Sequence, residues 1–259
     1  GAYPPGSTAK PLTVMMGLQE GAITPETRML DATGYLVVGD RKKWNWKRSG
    51  DGLMTPTTAL MRSNNPFMYQ VALNLAHYPA SKTLYREKFD VFRRYDAMFG
   101  LGVLTGIDLP EESAGWKATD VQLGRLADAA IGQYDNFTAI QLAQYVSTIA
   151  NGGYRLRPHV LKAIESGGQS QGQPGQILSV TPTEVLNRVN VDPEYIQIAR
   201  EGMHMVAEKP RGTAYNTFNG LPVDVAAKTG TAQTGYETDN ALIMGFAPYQ
   251  DPEIAFVVI

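Results

Sequence analysis

Hydrophobic residues recur every three to four positions in several long stretches of the chain, a spacing typical of helices that pack on one face. The stretches predicted as helices cover residues 7–21, 84–99, 119–131, 138–150 and 193–207. Two shorter helices are predicted at a threonine cap, Thr55 followed by Pro56, and from Pro66 onwards. In the first helix the apolar side chains mark one face, and Gly21 is expected to end it.

Shorter apolar segments bounded by turn residues predict strands, and the clearest of these lie near the carboxyl end. Residues 223–227 lead into Lys228, and residues 241–246 and 254–259 follow, the last two joined by a turn at 249–253. The three segments predict an antiparallel meander, and its last run, residues 254–259, is predicted to be a buried strand.

The middle of the chain predicts a hairpin and then a further helix. Residues 154–165 and 176–180 are strand-like, and the stretch 166–176 is rich in Gly, Ser and Gln, which predicts a solvated loop. Thr181-Pro182-Thr183-Glu184 has the pattern of a capping box, so residues 184–187 are predicted to start a helix. Helices mixed with antiparallel strands indicate an α/β (α+β) chain, which we interpret as one globular domain, residues 1–259.

Composition narrows the classes of function. With 259 residues, 43% of them apolar, the chain can bury a sizeable core, and its net charge of −2 supplies no global field to recruit nucleic acid or an acidic membrane. The absence of cysteine excludes disulfides, thiolate metal sites and thiol catalysis. His77, His159 and His204 form no zinc-binding pattern, so no metal is expected, and no apolar run is long enough for a membrane-spanning helix.

A basic segment, residues 41–48, concentrates five Lys and Arg side chains around Trp44 and Trp46. Such a segment can bind an anionic polymer or single-stranded nucleic acid. We favour the alternative, a solvated connection whose tryptophans fold back on the body of the protein. No nucleic-acid partner is predicted.

Three short motifs in fixed order carry the candidate chemistry: Ser7-Thr8-Ala9-Lys10, Ser63-Asn64-Asn65 and Lys228-Thr229-Gly230-Thr231. They match the S-x-x-K, S-x-N and K-T-G set of proteins that attack peptide or β-lactam carbonyls through an acylated serine. Each motif alone is a weak signal. Their order and gaps strengthen it, because Ser63 follows Lys10 by 53 positions and Lys228 follows Asn65 by 163.

The local context of each motif supports a site. A spacing of three residues puts Ser7 and Lys10 on one face of a first helical turn, where their side chains can meet, and Pro11 supports a helix start close to Ser7. Ser63 to Asn65 lies in a short joint between two predicted helices, which holds a hydroxyl and an amide rigidly.

The third motif is predicted on a strand. Gly230 stands where a strand usually has a side chain and therefore lets another backbone approach. Thr229 and Thr231 flank it with hydroxyls suited to a carboxylate.

Longer segments around these motifs identify a family. Residues 3–11, Tyr-Pro-Pro-Gly-Ser-Thr-Ala-Lys-Pro, match a Y-x-P-G-S-x-x-K-P run, and Phe99 to Gly102 with Thr105 to Pro110 match F-G-x-G and T-G-I-D-L-P. Further matches are Ala130-Ile131-Gly132-Gln133, Ala150-Asn151-Gly152-Gly153, Lys228 to Gln233 and Gly245-Phe246-Ala247-Pro248. Over essentially its whole length the chain resembles the transpeptidase domain of class B penicillin-binding proteins, monofunctional cell-wall D,D-transpeptidases.

The resemblance implies a penicillin-binding/serine β-lactamase-like fold, in which an antiparallel sheet is flanked by helices. Gly132-Gln133-Tyr134 departs from the family's Gly-Gln-Gly and affects the expected shape of that loop. On this resemblance, the family's strands before the serine motif, its last strand and helix, its membrane anchor and its pedestal domain are expected to lie outside residues 1–259. The fold is therefore expected to be incomplete at both ends, to be unstable as an isolated monomer, and to need a companion chain or retained fragment.

The family's roles transfer by position. Ser7 would be the nucleophile and Lys10 the base that removes its proton, with Lys228 as a second cation that favours a neutral Lys10. Ser63 would relay a proton to the leaving amine, and Asn65 would anchor the site and contact substrate.

The substrate contacts transfer in the same way. The N–H groups of Ser7 and Thr231 would form the oxyanion hole. Thr229, Gly230, Thr231 and Gln233 would bind the D-Ala-D-Ala stem peptide, whose carboxylate the two threonines would hold. No metal or cofactor is implied.

By the same resemblance, the partners are peptidoglycan stem peptides, covalently bound β-lactams and other proteins of cell-wall synthesis. The location implied is the extracytoplasmic face of a bacterial plasma membrane, with the anchor in a segment outside this chain.

Two alternatives stay open. A serine β-lactamase shares the motifs but needs a base that activates water, and Glu184-Val185-Leu186-Asn187 has the wrong spacing for an E-x-x-L-N element. A β-lactam sensor would undergo the same acylation without transfer to an amine.

Overall fold

The computed structural model describes residues 1–79, 82–167, 175–232 and 239–259 of the chain. Within these ranges the helices are α1 Lys10–Gln19, α2 Pro56–Met61, α3 Asn65–Leu75, α4 Lys82–Met98, α5 Leu123–Ala129, α6 Ala139–Ala150, α7 Pro193–Glu208 and α8 Tyr215–Phe218. A 3-10 turn, Gly6–Ala9, precedes α1.

The strands are short except near the carboxyl end. They are β1 Ala2–Tyr3, β2 Met29–Asp31, β3 Tyr35–Val38, β4 Arg41–Trp44, β5 Gly52–Met54, β6 Phe137–Thr138, β7 Tyr154–Leu156, β8 Ala163–Glu165, β9 Ile177–Val180, β10 Val185–Arg188, β11 Ala226–Ala232, β12 Asn240–Ala247 and β13 Ile254–Val258. Strands β11, β12 and β13 form an antiparallel sheet in that order, and the other described strands associate in antiparallel pairs. The predicted meander is confirmed.

Helix α1 lies at the centre of the core. Every residue from Lys10 to Leu18 is buried, so the helix is covered on all sides, and the expectation of a single buried face is wrong. It packs against α3, α4 and α7, and α7 in turn packs against β11. Gly21 follows the helix with a φ of +69°, which confirms the predicted end.

Several predicted boundaries hold because local capping signals specify them. Thr55 accepts a hydrogen bond from Thr58 N and places Pro56 at the start of α2. Thr138 caps α6 in a capping box with Gln141. Helix α5 is shorter than the predicted 119–131, because residues before it are held in extended form, with Tyr134 Oη donating to Asp120 O.

One predicted helix start is wrong. Residues 184–187 were expected to begin a helix, but Val185–Arg188 is strand β10, antiparallel to β7. Arg157 N donates to Glu184 O and extends this pairing by one residue. The non-local pairing therefore overrides the local capping signal. The predicted hairpin forms only in part, because β8 pairs with β9 whereas β7 pairs with β10. Most of the predicted loop 166–176 lies outside the described residues.

The prediction of a buried last strand is also wrong in part. Strand β13 forms, but Ile254 and Val258 are 63% and 60% exposed. The reason is its position, because β13 pairs with β12 and no described layer covers the outward side of these residues. In the described part of the chain, every helix is too short or too polar to cross a membrane.

Candidate active site

The candidate nucleophile, Ser7, lies on the 3-10 turn before α1, and its side chain is half-buried at the wall of a cleft. Tyr145, buried on α6, fixes this turn: its hydroxyl accepts from Leu12 N at 3.0 Å and donates to Thr8 O at 3.3 Å. The first N–H groups of a helix lack internal partners, so the contact with Leu12 satisfies one of them.

Main-chain contacts lock the serine turn to its neighbours. Gly6 has a φ of +54° and donates from its N–H to Gly132 O at 2.9 Å. A Cβ on Gly6 would lie 2.4 Å from Thr231 O, and one on Gly132 would lie 2.2 Å from Gly6 O. A Cβ on Gly230 would lie 3.0 Å from Pro5 O, which confirms the close backbone approach predicted for this glycine.

The second motif is the joint between α2 and α3, as predicted. Ser63 has a φ of +52°, a left-handed conformation that costs energy for a residue other than glycine. Asn64 caps α3 by accepting from Phe67 N at 2.9 Å. Asn65 opens α3 and donates from Nδ2 to Trp44 O at 3.1 Å.

The third motif runs along β11 beside the first two. Lys228 is fully buried, whereas Thr231 is exposed to the cleft. Thr229 Oγ1 lies 2.7 Å from Thr213 Oγ1, and Gln133 donates from Nε2 to Thr231 O at 2.9 Å. Gln233, predicted to bind substrate, lies outside the described residues.

Two buried lysines converge on one hydroxyl at the floor of the cleft. Lys10 Nζ lies 3.1 Å and Lys228 Nζ 2.9 Å from Ser63 Oγ. Lys10 also donates to Ser63 O at 2.7 Å and to Asn65 Oδ1 at 2.6 Å, and Lys228 donates to Thr229 O at 2.9 Å. These contacts join four of the predicted catalytic residues, and the fifth, Ser7, lines the same cleft as Ser63 and Asn65. The three acceptors around Lys10 Nζ belong to Ser63 and Asn65, not to Ser7.

The partners of Lys10 define where its proton moves. Ser63 O and Asn65 Oδ1 only accept, so each takes one N–H of Lys10 whether the amine is charged or neutral. The third direction around Lys10 Nζ points to Ser63 Oγ. When Lys10 is charged, its third N–H points there, and when Lys10 is neutral, its lone pair does. Ser63 can therefore receive a proton from Lys10 or return one to it.

Burial sets the protonation of both lysines. Burial lowers the pKa of Lys10 well below its usual value, the charge of Lys228 lowers it further, and Asp51 acts in the opposite direction. Burial likewise lowers the pKa of Lys228 to about 7. A lowered pKa provides the neutral amine that a general base requires.

This burial has a consequence for folding stability. Between a folded pKa of about 7 and the ordinary lysine value of about 10.4, the unfolded chain binds the extra proton, so the free energy of unfolding rises with pH. We expect Lys228→Met to reduce that rise, by at most about 1.4 kcal/mol per pH unit. Denaturant unfolding at several pH values between 7 and 10 measures it, with the exposed Lys162→Met as the control. Equal slopes in the wild type and Lys228→Met would contradict this account of the site.

The cleft has a volume of about 800 Å³, and the three motifs form one part of its wall. The rim of the cleft also includes residues outside the three motifs, namely Trp44, Trp46, Arg48, Arg125 and Asp128. The first three belong to the basic segment noted in the sequence, whereas Arg125 and Asp128 lie on α5 and carry no sequence pattern that marks them.

The basic segment, residues 41–48, contains strand β4 and lines the cleft, so it is not only a solvated connection. Trp44 belongs to β4 and Trp46 donates from Nε1 to Arg62 O at 3.0 Å, so the second tryptophan does contact the body. Even so, Trp46 remains 58% exposed, and both rings line the cleft. The correction follows from the strand pairing of β3 with β4, which carries the segment to the rim.

Away from the cleft, His204, Glu208 and Asp224 offer ligand atoms that all lie within 4.8 Å of one another. His204 and Glu208 are one turn apart on α7, and the His204 ring stacks on Tyr249 with a centroid distance of 4.0 Å. Sequence spacing missed this cluster because Asp224 comes from a separate segment. The expectation that the protein uses no metal stays a prediction.

A cleft at which S-x-x-K, S-x-N and K-T-G motifs meet defines the class of penicillin-interacting serine proteins. Within that class the chain belongs to the family described as penicillin binding protein transpeptidase domain, which matches residues 1–259. The fold and the family expected from the sequence are both confirmed.

The relatives include class B penicillin-binding proteins. The chain is 41% identical to penicillin-binding protein 2A of Bacillus subtilis over 273 residues, covering 100% of this chain and 37% of that protein. It is 32% identical to the peptidoglycan D,D-transpeptidase MrdA of Escherichia coli, covering 100% of this chain and 42% of that protein.

Among solved structures, penicillin-binding protein 2B of Streptococcus pneumoniae strain R6 superposes with a TM-score of 0.89 at 29% identity, covering 99% of this chain and 44% of that one. The chain thus spans about two fifths of the length of the curated relatives it matches.

Proposed function

We propose that this protein is a peptidoglycan D,D-transpeptidase that forms an acyl-enzyme on Ser7. One observation carries the proposal: two buried lysines, Lys10 and Lys228, are both within hydrogen-bond distance of Ser63 Oγ at the floor of the cleft that Ser7 lines. The kinship with a relative named peptidoglycan D,D-transpeptidase supports it.

The first half of the reaction acylates the serine. Neutral Lys10, one helical turn after Ser7, takes the hydroxyl proton as Ser7 Oγ attacks the carbonyl carbon of the penultimate D-Ala. In the structure without substrate, the Lys10 amine contacts Ser63 and Asn65. When substrate binds, one of these hydrogen bonds is replaced by a hydrogen bond to Ser7, since hydrogen bonds in free active sites commonly rearrange on binding. The N–H groups of Ser7 and Thr231 would stabilise the oxyanion, at about 3 kcal/mol per donor.

The second half transfers the acyl group. The peptide bond breaks, and the terminal D-Ala leaves as an amine after Ser63 passes it the proton held by Lys10. An amino group of a neighbouring stem peptide then attacks the ester, a new peptide bond forms, and Ser7 recovers its proton. Thr229 and Thr231 suit the carboxylate of the donor, and the rim around Trp44 and Trp46 leaves room for the acceptor.

The same ester forms with β-lactams, in which ring opening replaces departure of D-Ala. The proposal includes a location on the outer face of the plasma membrane, where peptidoglycan stem peptides are found, and association with other proteins of cell-wall synthesis.

The test supplies a donor peptide ending in D-Ala-D-Ala and an acceptor amine to the intact protein, and measures released D-Ala and the joined product by mass spectrometry. We expect both products, in a ratio that rises with the acceptor concentration. A matched donor ending in L-Ala-L-Ala should give neither.

Two outcomes would overturn the proposal. Acylation by penicillin without any transfer to an amine would indicate a β-lactam sensor. Loss of the penicillin adduct within seconds, with accumulation of hydrolysed drug, would indicate a β-lactamase.

A further inference from the structure

Two buried carboxylates lie directly behind the S-x-N loop. Asn64 donates from Nδ2 to Asp31 Oδ2 at 2.7 Å and to Asp51 Oδ2 at 3.1 Å. Asn45 donates from Nδ2 to Asp51 Oδ2 at 3.0 Å, and its Oδ1 accepts from Asn65 N at 3.1 Å. Asp31, Asp51, Asn45 and Asn64 are all buried. We call these four residues the carboxylate anchor.

Contacts within the anchor, and from Asp51 to Arg62 and Lys47, hold it in place. Asp31 ends β2, and its Oδ2 also accepts from Asp51 N at 3.2 Å. Asp51 accepts from Arg62 Nε at 3.2 Å and Arg62 Nη2 at 2.9 Å, and Lys47 Nζ lies 3.5 Å away. Arg62 is the C-cap of α2, so the residues on either side of Ser63, Arg62 and Asn64, both donate to Asp51.

The strained conformation of Ser63 calls for such a restraint. A left-handed φ at a residue with a side chain is unfavourable and persists only where surrounding contacts determine it. The loop's own backbone bonds, from Ser63 N to Leu60 O at 3.0 Å and from Asn64 N to Ala59 O at 2.9 Å, act together with the bond from Lys10 Nζ to Ser63 O. The side-chain amide of Asn64 adds two bonds to buried carboxylates at the residue next to Ser63.

We propose that the carboxylate anchor positions Ser63 for proton transfer. Its residues act through Ser63 and Asn65 and are positioning residues. The inference rests on the proposed acylation of Ser7. Of the four anchor residues, only Asn64 belongs to one of the three motifs.

The positioning role is tested with Asn64→Ser in the intact protein. Serine caps a helix about as well as asparagine, so α3 keeps its cap while the two amide bonds to Asp31 and Asp51 are lost. We expect the first-order rate of acylation by penicillin to fall about 100-fold, with noncovalent affinity for the drug within about twofold, since a displacement of about 1 Å can cost that much in rate. The control is Asn74→Ser on the same helix, which removes an amide bond to Ala22 O outside the site.

These outcomes separate the two proposals. If wild-type protein is not acylated, the proposed function fails. If it is acylated and Asn64→Ser reacts at the wild-type rate, the positioning role is wrong. Should Asn64→Ser lower the melting temperature too far to assay, Asp31→Asn tests the same positioning through the other carboxylate.

Discussion

Replacement of Ser7 by alanine is expected to abolish covalent modification by penicillin. In the wild type, intact mass should increase by one drug molecule and stay increased for many minutes, because no base dedicated to water activation stands out in the sequence. Alanine has no oxygen to form the ester, so the adduct of Ser7→Ala should be undetectable. Time-resolved intact mass spectrometry and peptide mapping give both results.

The matched control for this experiment is Ser179→Ala, which removes an exposed serine on β9 and should leave adduct formation unchanged. Retention of the adduct by Ser7→Ala, or its mapping to another residue, would show that the serine turn is not the reactive centre.

Loss of the Lys10 amine should have the second largest effect. Lys10→Met keeps much of the buried aliphatic volume but removes the base, and acylation is expected to slow by about 100-fold to 10,000-fold, the range typical of general bases. Lys10→Arg should fail to a similar degree, since guanidinium stays protonated at any pH used. Stopped-flow or quenched acylation measures both variants.

A melting temperature for each Lys10 variant serves as the control for folding, because this residue is fully buried in the first turn of the central helix. Near-normal acylation by a folded Lys10→Arg protein would exclude Lys10 as the base and leave Lys228 as the next lysine to test.

The motif residues could be placed from the sequence because each coincides with a local signal. Thr55 caps one helix and Pro66 lies at the start of the next, and together they define the joint that presents Ser63. Gly230 interrupts a strand pattern where only backbone fits. Signals of this kind act over three or four residues, so they can be recognised without knowledge of the rest of the fold.

The carboxylate anchor could not be predicted in this way. Asp31 and Asp51 precede Asn64 by 33 and 13 positions, and no periodic pattern connects them. They meet because β2 pairs with β5, with Asp31 opposite Gly52. Long-range pairing between strands of three residues leaves almost no trace in local composition.

The same limit explains the wrong helix start at residues 184–187. The four residues Thr181 to Glu184 have the pattern of a capping box, but the residues that follow them pair with β7 as strand β10. Asn187 also donates from Nδ2 to Met98 O at 3.0 Å, a contact 89 positions away that a helix would forfeit.

The glycine contacts between the serine turn, Gly132 and β11 bear on how drug and substrate can be told apart. Under the proposed function, a β-lactam and a D-Ala-D-Ala peptide would react at the same serine turn, which main-chain contacts hold against Gly132 and β11. We therefore expect substitutions that favour the peptide over the drug to alter side chains of the cleft, among them Trp44, Trp46, Arg48 and Arg125.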